Sequence, residues 1–205
     1  MNYKNLKTYM IKTAFIVLGC IILSVAVDFF FKSQIGGDAM TVFLDGINKA
    51  TGISQGWVTI FINVLFVVLI LILDYKKIGI GTIIIVSCYG LILDIVLKNS
   101  ILPSSDNLFF SIVYCGLACV LAAFAISLWI KMEFGYSPLE GFLVVMSEKT
   151  KISFTIYKIS MDVILLISGV IFGGNLNFGT LIATLSVGPF ITQFRKLFHK
   201  WKIIE

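Results

Sequence analysis

Charge is scarce in this 205-residue chain, and the scarcity decides its class. Charged residues make up 13% of it against 59% hydrophobic, and the mean hydropathy is +1.02. A soluble domain of this size needs far more polar surface. Histidine is nearly absent: His199 stands alone in the basic tail. The four cysteines, Cys20, Cys88, Cys115 and Cys119, lie inside apolar runs and show no metal-ligand spacing. They read as small buried apolar residues, and no metal is expected. There is no nucleotide-binding motif and no nucleophile–base constellation, so neither a cofactor nor an enzymatic activity is expected. Low-complexity segments are missing as well.

What the chain has instead is apolar runs. A span needs about 20 apolar residues, and six candidates run over Ile11–Phe31, Trp57–Leu73, Ile78–Leu97, Leu108–Ile130, Phe154–Phe172 and Phe178–Phe194. The expected fold is therefore all-α: a polytopic membrane protein in which residues 1–205 form one membrane domain. The first run is too long for a cleaved signal, and no small-residue cleavage site follows Phe29-Phe30-Phe31. The net charge of +5 does not point to nucleic acid, because its distribution follows topology. With the N-terminus in the cytoplasm, twelve of the sixteen Lys and Arg fall on the inner side, including Lys76, Lys77, Lys131, Lys149, Lys151 and Arg195. Lys32, Lys49 and Lys98 fall outside and Lys158 lies within a span. That bias predicts both termini on the cytoplasmic side; the basic tail reads first as part of this topology signal, with contact to anionic lipid as the alternative.

The chain also repeats itself. Residues Gly36 to Ser54 and Gly135 to Ser153 correspond at a distance of 99, pairing Gly36 with Gly135, Thr51 with Thr150, Ile53 with Ile152 and Ser54 with Ser153. At 98 residues the register continues through Gly81-Thr82 with Gly179-Thr180, Gly90 with Gly188 and Lys98 with Lys196. The repeats cover about 8–98 and 107–198, separated by the polar stretch Asn99–Asn107. Each holds three spans, an odd number, so the second enters from the opposite side and the pair is inverted. Each also holds one short segment, Asp38–Ala50 and Ser137–Lys149. At about 20 Å of helix these suit re-entrant or interfacial half-helices. Gly37 and Asp38 mark one N-terminus. Ser137, Pro138 and Glu140 mark the other, with a Ser-x-x-Glu capping box. The pairs Gly81-Thr82 and Gly179-Thr180 predict close helix packing.

Ionisable groups within a membrane are functional candidates by default. Asn63, Glu140, Lys158, Asp162, Asp45 and Asp94 form the expected substrate or ion pathway; for Asp94 and Asp28, near the outer ends of their spans, snorkelling toward water is an equal reading. Asn63 and Asp162 occupy equivalent positions in spans two and five, as polar groups around a midplane site would. Lys158 and Asp162, at i,i+4, share a helix face, where a self-neutralising ion pair is the alternative reading.

The run Gly135-Tyr136-Ser137-Pro138-Leu139-Glu140-Gly141, the basic-then-acidic Lys158 and Asp162, the segment Gly173–Thr180 and the closing Gly188-Pro189 together resemble the YczE/YitT-like family of bacterial integral membrane proteins. In the first half Thr51–Ser54, Gly79–Thr82 and Asp94 fit the same pattern, while Ala39 and Met40 replace the family's Pro-Trp. Leu139 stands where the family has arginine, so no anion-binding role is expected there. The resemblance implies a protein of the bacterial cytoplasmic membrane with about six spans, and no particular substrate.

The leading functional expectation is a small-solute transporter working by alternating access between inverted repeats, with proton coupling through Asp162 or Glu140. The acidic balance of the intramembrane charges favours a cationic or proton-linked solute. Two other readings stand beside it: a substrate-capture subunit of an ATP-driven importer, and a non-transporting protein that supports assembly or regulation of a partner. Partners would then be the lipid bilayer, an unknown small solute, and either a second copy or an energising module.

Overall fold

A computed structural model describes residues 3–200, with side chains placed for 6–198, so His199 and three of the twelve inner-side basic residues, Lys4, Lys200 and Lys202, lie outside the described side chains. Eight α-helices account for nearly all of it: α1 Tyr3–Ser33, α2 Ala39–Thr51, α3 Gln55–Asp74, α4 Ile80–Lys98, α5 Leu108–Met132, α6 Pro138–Thr150, α7 Phe154–Ile171 and α8 Phe178–Lys200. A short 3-10 turn, Tyr75–Lys77, links α3 to α4. No strand occurs among the described residues. Five helices (α1, α3, α4, α5 and α7) are long and apolar enough to cross a membrane. Length does not exclude α8, which has 23 residues; its apolar run is diluted by Thr180, Thr184, Ser186, Gly188 and Pro189 and ends at Arg195.

The two short helices are each 13 residues long and start where their capping residues place them. Asp38 accepts the Thr41 N–H at 2.9 Å and the Thr41 hydroxyl at 2.6 Å, which satisfies one of the free amides of the first turn. Ser137 occupies the equivalent N-cap with Pro138 following it, but its hydroxyl makes no bond to the helix backbone. It donates to the Glu140 carboxylate instead, so the capping box read from the sequence is replaced by a side-chain pair. Both helices end in the left-handed region, at Gly52 (φ 73°) and Lys151 (φ 60°).

Hydrogen bonds recur across the two halves at the same spacing as the sequence. Asn48 Nδ2 donates to the Ile53 carbonyl and Ser147 Oγ to the Ile152 carbonyl, at 2.9 and 2.7 Å. Thr51 Oγ1 donates to Ile47 O and Thr150 Oγ1 to Met146 O, at 2.6 and 2.7 Å. Ser54 and Ser153 cap α3 and α7, each accepting an amide at 3.4 Å.

Packing divides the helices into two bundles. In one, α1 and α5 lie side by side, with α4 against α1 and α8 against α5. In the other, α2 packs on α7 and α3 on α6, with the two short helices also contacting α3 and α7. The bundles are joined mainly through α3 and α4. There the backbones of Gly56 and Gly90 are in contact, an approach that only residues without a Cβ permit. The equivalent helices α7 and α8 form no packed pair, and a side chain at Gly188 would meet nothing within 4 Å.

Candidate functional site

Two loops, one from each half, thread between the bundles. Gly36 (φ 93°) ends the turn after α1 and Gly135 (φ 129°) the turn after α5, both in a region open chiefly to glycine. A Cβ on Gly135 would stand 2.7 Å from Thr82 Oγ1 and 2.9 Å from Gly79 Cα. The tight fit has a purpose. Gly81 N–H donates to Phe134 O at 2.7 Å, and Gly179 N–H donates to Ile35 O at 2.9 Å. Each half thus satisfies a helix amide with a carbonyl from the other half's loop. Gly81, Thr82, Gly179 and Thr180 are all buried, and the Gly-Thr pairs, expected to pack helix on helix, lie against these loops. Thr82 Oγ1 also donates to Tyr136 O at 2.7 Å, whereas Thr180 Oγ1 is buried with no partner.

The loops bring the N-termini of α2 and α6 into one charged neighbourhood. Glu140, in the first turn of α6, lies in the fields of Lys158, Asp162 and Asp38. Lys158 in turn interacts with Glu140, Asp162 and Asp38. Its Nζ sits 2.8 Å from Asp162 Oδ1, so the i,i+4 pair does form. Lys158 is thus ion-paired with Asp162 and lies in the fields of Glu140, from the first turn of α6, and of Asp38, the N-cap of α2, and the positive ends of these two helices add to the same neighbourhood. Tyr89 of α4 feels both Asp38 and Glu140 and packs edge-on against Trp129 at 6.0 Å. Asn63 is 6% exposed on the α3 face it shares with Phe66 and Ile70, and its Nδ2 has no partner. Burying an amide without a partner costs on the order of 1–3 kcal/mol.

Of the six pathway candidates, Glu140, Lys158 and Asp162 fall together; Asn63 makes no bond to them, and Asp45 and Asp94 lie elsewhere. Asp45 bonds Lys49 at 2.6 Å and accepts the Asn175 N–H at 2.8 Å, tying the loop before α8 to α2. Asp94 accepts the Ser54 hydroxyl and, at 2.7 Å, the Gly56 N–H, which fastens α4 to the start of α3. Asp28, with snorkelling as an equal reading, is 4% exposed and accepts Ser100 Oγ at 2.6 Å. Asp38 and Tyr89 are the members the sequence reading missed. Asp38 read as a cap only; Tyr89 carried one signal, a phenol hydroxyl in an apolar run.

Two cavities open between the bundles, each at the N-terminus of a short helix. One of about 660 Å³ is lined by Tyr136, Ser137 and Glu140 together with Trp129, Lys76 and Arg195. It lies at the end of the molecule where basic residues collect. The other, of about 240 Å³, is lined by Gly36, Gly37 and Thr41 together with Phe30, Asp45 and Asn175. Lys77, at the rim of the larger one, donates to Glu148 at 2.7 Å, and that bond holds its ammonium above the usual lysine range.

A model for a family of unknown function, DUF6198, matches residues 10–196. An uncharacterised protein of Haemophilus influenzae is 26% identical over 192 residues, covering 93% of this chain and 86% of its own length. The uncharacterised protein YyaS of Bacillus subtilis is 22% identical over 186 residues, covering 89% and 92%. No solved structure matches the chain significantly.

Proposed function

We propose that this chain, which belongs to the DUF6198 family of unknown function, is a small-solute transporter of the bacterial cytoplasmic membrane, working by alternating access between two inverted repeats. Kinship to YczE/YitT-like proteins is part of the same proposal. The observation that carries it is the electrostatic neighbourhood of Asp38, Glu140, Lys158 and Asp162, which joins the N-termini of two short helices from equivalent positions in the two halves, with Glu140 lining a cavity. A binding site between repeats, built from half-helix N-termini, suits a carrier whose halves rock about it.

In this reading α8 is the sixth span, and the positive-inside bias puts Lys76, Lys77, Lys131 and Arg195 in the cytoplasm. Both termini are then cytoplasmic, and the larger cavity opens inward. Asp162 is neutralised by Lys158 at rest, which leaves Glu140, held by the Ser137 hydroxyl, as the carboxylate that meets a solute cation or a proton. The unpartnered Nδ2 of Asn63 supplies a donor for a solute acceptor group.

Purified protein in liposomes tests the proposal: uptake of candidate solutes under an imposed proton or sodium gradient. Glu140→Gln and Asp162→Asn are expected to lower uptake tenfold or more, while Asn63→Leu raises the melting temperature and lowers uptake. Transport unchanged in both carboxylate variants removes those residues from the mechanism.

A further inference from the structure

The seam between α3 and α4 and its counterpart between α7 and α8 occupy equivalent places in the two halves, yet one is shut and the other is not. The shut seam has three fastenings: the Gly56–Gly90 backbone contact, the Ser54 hydroxyl on Asp94, and the Gly56 N–H on Asp94. At the matching positions stand Thr155, Gly188, Ser153 and Thr192. The Ser153 hydroxyl is present and accepts only an amide of its own helix. Thr192 Oγ1 turns back to donate to Gly188 O at 3.2 Å. Gly188 faces open space and α7 does not pack on α8. The larger cavity, about 660 Å³, carries Arg195 of α8 in its lining but is otherwise walled mainly by the α3–α4 turn, α5 and the start of α6, so it marks the same end of the molecule and not the seam itself.

Resting on the transporter reading, we infer that Asp94 is the latch of the outer gate and that the molecule stands open to the cytoplasm because the inner seam lacks a matching carboxylate. A hydrogen bond to an ionised acceptor is about twice as strong as one between neutral groups. The outer seam has two of these, and the inner seam has a threonine where the carboxylate would be. Asp94 acts through the positions of α3 and α4 rather than by touching solute, so it is a positioning residue. The difference sets which face is closed when the site is empty. It also predicts that the latch can be moved. Thr192→Asp supplies the acceptor for Ser153, and Thr155→Gly removes the side chain that would block the Gly188 backbone.

Spin-label pairs at Ile53/Lys98 and Ile152/Lys196, in purified protein in nanodiscs with the native cysteines replaced by alanine, read the two seams directly. The parent is expected to show a short first distance and a long second one. D94N and D94A should lengthen the first and shorten the second in a new population, D94E should restore the parent distribution, and T155G/T192D should add a short second distance with Asp94 intact. D94N keeps the side-chain volume and serves if D94A does not fold. Both distances unmoved in D94N and T155G/T192D would overturn the latch. Solute flux in liposomes alongside unmoved distances sinks the latch alone; no flux under any gradient sinks the transporter reading from which it starts.

Discussion

The α3–α4 pair and the α7–α8 pair are built on corresponding sequence and end in different packing. Helix α3 buries Gly56, Val58, Thr59, Asn63, Phe66 and Ile70; α7 buries only Leu165 and Gly169. A third of the α3 span is buried inside the molecule against 11% of the α7 span. Local structure does not account for this, since both helices start on a capped serine and follow a short helix of equal length. Two substitutions do: Gly56 against Thr155, and Asp94 against Thr192. A missing Cβ lets two backbones touch, and a carboxylate ties the contact. Where both are absent, the corresponding helices remain apart.

The largest effect is expected from filling the shut seam. Gly90→Ala places a methyl 2.5 Å from Ile60 Cγ1 and against the Gly56 carbonyl, and it should cost about 1–3 kcal/mol in thermal unfolding. Gly188→Ala, at the equivalent place, should change stability by less than about 0.5 kcal/mol. Equal losses at both sites would mean that the α7–α8 seam is closed in solution.

A smaller effect separates the ends of the two short helices. Gly52 and Lys151 share a left-handed conformation that costs a side-chain-bearing residue about 1 kcal/mol. Lys151→Gly is therefore expected to stabilise the protein by roughly 0.5–1 kcal/mol, and Gly52→Ala to destabilise it by about as much. Circular dichroism melts in one detergent would read both.

The smallest concerns the tie between Lys77 and Glu148, whose side chains are 24% and 54% exposed. Exposed pairs contribute about 0.2–1 kcal/mol, so Lys77→Ala should cost no more than that, and less in high salt. Because the folded-state pKa of Lys77 is raised, the contribution is complete below the ordinary lysine value and is lost as pH climbs through the folded one. Unfolding of the parent and Lys77→Ala across pH 7–11 should converge only at the alkaline end.

Much of this fold is legible along the chain because its punctuation is local. Asp38–Ala50 and Ser137–Lys149, read from caps and glycines, fall within one residue of the helices Ala39–Thr51 and Pro138–Thr150. The apolar runs likewise find α1, α3, α4, α5 and α7. The cluster was legible in part: Glu140, Lys158 and Asp162 are charges set among apolar residues, and two of them lie one helical turn apart. Asp38 was hidden by its capping role, which explained it fully without reference to distant residues. Asp94 was named as a pathway residue, and what was hidden is its role in packing. Its partners Ser54 and Gly56 lie about 40 residues away, and their meeting depends on Gly90, whose own twin Gly188 meets nothing.

The crossed bonds from Gly81 to Phe134 and from Gly179 to Ile35 bear on how the chain is made. When α4 has emerged from the ribosome, the carbonyl that completes its first turn has not yet been synthesised. The first half must wait with an amide unmet, and it closes only when the α5–α6 loop arrives. Ile35, made early, waits in the same way for Gly179. Neither half is a finished product by itself, so a chain cut between Asn99 and Asn107 should yield two pieces that are each degraded alone and persist only when produced together.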